Sequence, residues 1–275
     1  MRFFITILVL AASIGQSVQA QGYEDMIMKS YQYTDSGDFR AAEECLKAAM
    51  RLEPANKFNF ALLTNLGTIQ RRQGKLDEAL ISYSAALSQR PDDALILTNR
   101  AELYTEMDEN DKALADYNSL LSKQPLNENA LYNRGMLYIK RGELILAQAD
   151  FEKIIDNYKD TFLGRFGYAV LEKAQGNYDE SEKILLYLID KQPDNLRVLE
   201  ERAELYFLTK RNGRAMADIN RVFAGVKEPS AEMYMLRGRI KLAQYEKASA
   251  ALDFKKALEL GYDRDTVERL LKQTF

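Results

Sequence analysis

The chain has 275 residues, 47% hydrophobic and 29% charged, with a formal net charge of −3. That is enough apolar material for a continuous core and argues against disorder. It contains no His and one Cys, which excludes imidazole metal sites, His-based nucleophile pairs, thiolate zinc sites and an internal disulfide. An acidic balance with no basic block argues against nucleic acid as a partner. Prolines and glycines are few, and short Val/Ile/Thr-rich runs bounded by turns are missing, so an all-α fold is expected.

The first segment reads differently from the rest. Residues 1–20 carry MR, the apolar run FFITILVLAASI at 3–14, and GQSVQA with Val18 and Ala20 at the small-residue positions before a cut. This pattern predicts a secretory signal peptide, with a mature chain from Gln21. Losing Arg2 takes the net charge from −3 to −3 − 1 = −4. The apolar run, 14 − 3 + 1 = 12 residues, is shorter than the roughly 20 needed to span a bilayer. An uncleaved anchor is the alternative; after cleavage no stable membrane insertion is expected. No Cys follows at the cut to take a lipid, and no Asn-x-Ser/Thr sequon occurs. The expected location is therefore the periplasm or envelope of a bacterium.

From there on the sequence is periodic. RAELY at 100–104 returns at 202–206, and 202 − 100 = 102 is three times 34. Pro54, Pro91, Pro125 and Pro193 fall at one phase of that period; Gly74, Gly142 and Gly176 fall at another, with Gly37 in the same relation to Pro54. Each unit thus reads as helix, Gly turn, helix, loop, with Pro closing the second helix or opening the next unit. Small residues recur at the eighth place (Gly67, Ala101, Gly135, Ala169, Ala203, Gly238) and on the second helix (Ala79, Ala113, Ala147, Ala215, Ala250). Large ones recur at place eleven (Tyr104, Tyr138, Tyr206) and place twenty-four (Tyr83, Tyr117, Phe151, Phe254). Small beside large at fixed spacing lets helix pairs interlock.

The unit FALLTNLGTIQRRQGKLDEALISYSAALSQRPDD at 60–93, with Leu66-Gly67, Gly74, Ala79, Tyr83, Ala86 and Pro91, resembles the tetratricopeptide repeat. Seven such units start near 23, 60, 94, 128, 162, 196 and 231. The resemblance implies a right-handed α-solenoid over residues 21–264. After it, residues 265–275 are expected to form a C-terminal capping helix, with Val267, Leu270 and Leu271 inward and Arg264, Glu268, Arg269 and Lys272 outward. The pattern departs from the family in having no Trp, in Gln70 at place eleven of unit two, and in unit five, where Arg165 and Glu172 stand at apolar and Tyr places.

No catalytic or cofactor site is expected. Glu200 and Glu204, like Glu102 and Glu106, lie one turn apart and could host acid/base chemistry only if one member were desolvated; solvated helix surface is the simpler reading. Cys45, on a second helix, is expected to be a buried inert thiol.

The resemblance further implies that places two, five, six, nine and twelve of the first helices face a concave groove. Place six holds Asn65, Asn99 and Asn133, amides able to grip an extended peptide backbone, or ordinary surface residues. Tyr132, Met136, Ile139, Leu163, Phe166 and Val170 occupy other groove places in units four and five, forming an apolar docking patch or, if curvature closes it, local core. A family groove that clamps acidic C-termini needs Lys at place five; Ile27, Thr64, Thr98, Tyr132, Phe166, Glu200 and Met235 stand there instead. The expectation is a non-enzymatic scaffold for a protein or peptide partner in the cell envelope. Self-association through the patch, or small-ligand chemistry at the acidic pairs, are the alternatives.

Overall fold

The computed structural model describes residues 18–275; the expected signal peptide at 1–20 lies outside them except for its last three residues, which open the first helix. The described residues form fifteen α-helices, a closing 3-10 turn and no strand. They divide into two compact units at Pro125/Leu126.

The first unit contains α1 (Val18–Ser36), α2 (Phe39–Leu52), α3 (Asn59–Arg72), α4 (Leu76–Gln89), α5 (Ala94–Glu106) and α6 (Asn110–Lys123). The second contains α7 (Glu128–Lys140), α8 (Leu144–Asn157), α9 (Phe162–Gln175), α10 (Tyr178–Lys191), α11 (Leu196–Leu208), α12 (Asn212–Gly225), α13 (Ala231–Ala243), α14 (Lys247–Glu259) and α15 (Arg264–Leu271). Odd-numbered helices up to α13 are first helices of repeats and even-numbered ones are second helices. Within each unit every helix packs on the next in the chain, so each is an all-α stack of helix pairs.

Local chemistry sets the helix ends. The residue before each of four first helices caps it: Asp93, Asn127, Asn195 and Ser230 accept hydrogen bonds from backbone N–H groups of the first turn. Pro91, Pro125 and Pro193 stand directly after the last residue of α4, α6 and α10 to close a helical hydrogen bond, so proline here ends the second helix.

The turn inside each pair needs a left-handed backbone. Gly37, Gly74, Gly142 and Gly176 supply it with φ of 82°, 74°, 75° and 86°. In the other three repeats Asp108, Lys210 and Tyr245 take the same conformation at φ 59°, 59° and 65°, against the steric preference of residues with a Cβ. Tyr245 is also 88% exposed, so its ring does little to offset that cost. Tyr245→Gly is therefore expected to raise unfolding free energy by about 1 kcal/mol, net of glycine's greater unfolded-state entropy; an unchanged urea midpoint would count against strain at this turn.

The core is the small-on-large pattern made solid. Tyr83, Tyr117, Phe151 and Phe254 are at most 2% exposed, and the recurring second-helix alanines are 0% exposed. A Cβ added to Gly67 would lie 2.7 Å from the Tyr83 ring, and one added to Gly238 would lie 2.6 Å from the Phe254 ring. Phe151 is held from two sides: a Cβ at Gly135 would meet its ring at 2.6 Å and one at Gly167 at 2.4 Å. At the end of the second unit Val267 of α15 is fully buried with Met235, Ala250, Phe254 and Ala257, and Leu270 and Leu271 pack against the same cluster.

A charge pattern runs beside the size pattern. Arg100 grips Asp116 in a two-pronged ion pair, with both contacts at 2.8 Å. Arg134 and Asp150, Arg202 and Asp218, and Arg237 and Asp253 repeat the fork at 2.6–2.9 Å. The four carboxylates are only 4–6% exposed, and their hydrogen bonds hold the guanidinium groups of Arg100, Arg134 and Arg202 above the ordinary arginine range. Each pair staples the first helix of a repeat to its second. Repeats two and five have Leu66 with Ser82 and Tyr168 with Ile184 at these places; both charges are missing together.

Candidate functional site

The first helices carry the residues that the repeat pattern assigns to partner contact. In the first unit this face is closed by its own charges. Arg71 of α3 donates to Glu106 at 2.6 Å and to Glu102 at 3.0 Å on α5, so that acidic pair neutralises a cation from the preceding repeat. Burial raises the Tyr31 phenol of α1 and the Asn65 amide facing it lowers it in part, and Asn99 is half-buried. Glu43 of α2, 3% exposed, accepts from Lys47 (2.6 Å), Lys75 (2.9 Å) and Gln73 (2.9 Å). Burial alone would raise its pKa, but these donors outweigh burial and bring it down to about 2. Cys45 is half-buried rather than buried as expected.

In the second unit Asn133, Met136, Ile139 and Leu163 are half-buried. Of the residues read as a docking patch or as local core, Tyr132, Phe166 and Val170 are 4%, 3% and 6% exposed, the second of those readings. Part of the cover over Tyr132 and Phe166 comes from two repeats along. Arg197, at the start of α11, places its guanidinium over the Tyr132 ring at 4.9 Å and over the Phe166 ring at 4.6 Å, and donates a hydrogen bond to the Tyr132 hydroxyl. Tyr132 also packs on Phe151, and Phe166 stacks on Phe162. Burial pushes the Tyr132 phenol up to about 12. The Asn series stops at this point because place six of repeat five is Gly167, against which the Phe151 ring lies.

Beyond the aromatic pair the face becomes acidic. Lys173 of α9 lies 2.6 Å from Glu201 Oε1 and hydrogen-bonds Glu204. It meets the Glu201 oxygen off the hydrogen-bonding direction, so that contact is Coulombic. Burial would lower the Lys173 pKa, but Glu201 and Glu204 outweigh it and the net shift is upward. Glu201 is raised chiefly by burial. Glu200 is half-buried and makes neither hydrogen bond nor ion pair among the described residues; burial raises its pKa first, and the like charges of Glu201, Glu204 and Glu232 raise it further. Arg239 of α13 stacks over Phe207 of α11 at 4.7 Å. The acidic pairs expected to be plain solvated surface are thus engaged by cations of the preceding repeat, and only Glu200 is left out.

A carboxyl with a raised folded-state pKa weakens folding at neutral pH, and the penalty fades as pH falls through that pKa towards the unfolded value. Glu200→Gln is therefore expected to raise the melting temperature at pH 7, with the difference from wild type closing on acidification. A constant difference between pH 7 and pH 5 would show that ionisation of Glu200 is not its source.

Helix pairs at a 34-residue period, locked by small residues on aromatic rings, with first helices side by side within each unit, define an α-solenoid repeat protein. The chain belongs to the tetratricopeptide repeat family, whose model matches residues 29–94, 98–160 and 169–229. It is similar to a tetratricopeptide repeat protein from Parabacteroides merdae ATCC 43184, at 56% identity over 92% of this chain and 99% of that one, with a TM-score of 0.79. It shares the fold of PilW, a type IV pilus biogenesis factor (21% identity, 78% of this chain and 96% of that one, TM-score 0.59). It also shares the fold of MamA from Desulfovibrio magneticus RS-1 (14% identity, 66% and 99%, TM-score 0.55). A search by sequence among curated proteins found no match. Tetratricopeptide repeats generally serve as protein-interaction scaffolds, and none of the described helices is long and apolar enough to cross a membrane.

Proposed function

We propose that this chain is a non-enzymatic scaffold exported to the bacterial cell envelope, where the first-helix face of repeats five to seven holds a segment of a protein partner. The observation that carries the site is Glu200, a half-buried carboxylate with no hydrogen-bond or ion-pair partner among the described residues, ringed by Glu201, Glu204 and Glu232. Leaving such a group unpaired costs stability, and a ligand contact repays that cost. The signal-like segment at 1–20 supports export. Half-buried Leu163, Phe207 and Arg239 on the same helices would supply the apolar and polar flanks of the contact.

The test is photocrosslinking in cells from position 200, read by mass spectrometry. One dominant envelope protein as adduct, lost when Leu163 becomes Asp, is expected. Adducts only with a second copy of the chain would replace the scaffold with self-association, and no adduct would remove the site.

A further inference from the structure

Repeats in a solenoid ordinarily contact only their neighbours, yet Arg197 of repeat six reaches past repeat five to the Tyr132 hydroxyl of repeat four. On the way it covers both Tyr132 and Phe166, whose rings are 4% and 3% exposed while Arg197 itself is exposed. The side chain is a lid lying on a two-ring recess rather than part of the core.

Arg197 also has a second set of partners within reach. Glu200 and Glu201 stand three and four residues further along α11, the spacing at which helix side chains meet, and both feel its charge. In the structure its guanidinium lies on the rings and on the Tyr132 hydroxyl. Its two possible positions, on the rings or on the carboxylates, differ in two respects: the second uncovers Tyr132 and Phe166, and it pairs Glu200, which has no partner among the described residues.

We propose that Arg197 is a displaceable latch filling a cation-binding recess made by Tyr132 and Phe166, and that the partner opens it by laying its own arginine side chain between the two rings. This rests on the scaffold reading above and specifies the chemistry of the partner. The recess already holds a guanidinium through two ring faces and a phenol oxygen, the groups that a cationic guest needs. The surroundings favour positive charge too. Glu200 feels the like charges of Glu201, Glu204 and Glu232 ahead of the opposite charge of Arg197, and Lys173 is spent on Glu201 and Glu204. When Arg197 swings onto Glu200 and the guest takes its place, the cluster gains one compensating charge and no aromatic face is left bare.

The experiment measures fluorescence anisotropy of a labelled glycine-rich peptide carrying a single arginine, against the same peptide with citrulline, which keeps the shape and removes the charge. Purified wild type is compared with Arg197→Ala, and with Arg197→Gln should the alanine variant fail to fold by circular dichroism. Removing the latch is expected to tighten the arginine peptide about tenfold, to leave the citrulline peptide weak, and to lose the gain when Phe166→Leu is added. Equal affinity for wild type and latch variant, or equal binding of arginine and citrulline peptides, overturns the latch. That outcome leaves the crosslinking result at position 200 untouched, so failure of the latch and failure of the scaffold are told apart.

Discussion

Arg202→Leu is expected to lower the unfolding free energy by about 3–5 kcal/mol, because it strands the Asp218 carboxylate inside the stack. Asp218 is 4% exposed and both of its oxygens are held by Arg202, at 2.7 and 2.8 Å. Water cannot replace those two donors without opening the repeat. The double variant Arg202→Tyr/Asp218→Ile should recover much of the loss, since repeat five already holds Tyr168 and Ile184 at these places and folds around them. Urea titrations of the two variants decide the matter. A single variant as stable as the double one would mean that water or another cation reaches Asp218.

The second large effect is expected at Phe151. Its ring is fully buried between Gly135 of its own repeat and Gly167 of the next, so Phe151→Ala opens a cavity at a junction between repeats and should cost about 3–5 kcal/mol. The converse change is also informative. Gly167→Ala pushes a methyl group to 2.4 Å from a ring that Gly135 prevents from backing away, and should cost about 1–3 kcal/mol by overpacking. In the Phe151→Leu background the Gly167→Ala penalty should shrink, and a double-mutant cycle with no coupling between the two positions would contradict the packing seen here.

Much of this architecture was legible in the sequence because it is written in size and backbone freedom. Gly74, Gly142 and Gly176 marked turns that only a left-handed residue can make, and Ala79 with Tyr83 marked a packed seam. The strained turns at Asp108, Lys210 and Tyr245 were hidden, since nothing in those side chains announces a positive φ. The Arg–Asp forks were present in plain view: Arg100, Arg134, Arg202 and Arg237 each precede an Asp by sixteen residues. A periodicity in side-chain size does not report them, because they recur in charge.

The candidate site was less legible, for a definite reason. Tyr132, Phe166 and Val170 do occupy first-helix places that the repeat pattern assigns to the groove. Phase along one helix does not report what a residue two repeats away can reach. Arg197 lies 65 residues beyond Tyr132, and only the fold brings its guanidinium onto that ring. Glu200, read as solvated surface, is distinguished by what its neighbours do: Lys173 is committed to Glu201 and Glu204.

The helix caps have a consequence for how such a chain changes length. Asp93, Asn127, Asn195 and Ser230 each close one repeat in sequence while starting the next one in space. Duplication or loss of a stretch one repeat long that begins and ends just after such caps therefore joins a cap to a first helix again. The step from Asn195 to Ser230 is 230 − 195 = 35 residues, so the loop before α13 absorbs one extra residue without disturbing the cap. An array built this way can be lengthened or shortened by recombination without inventing a new junction.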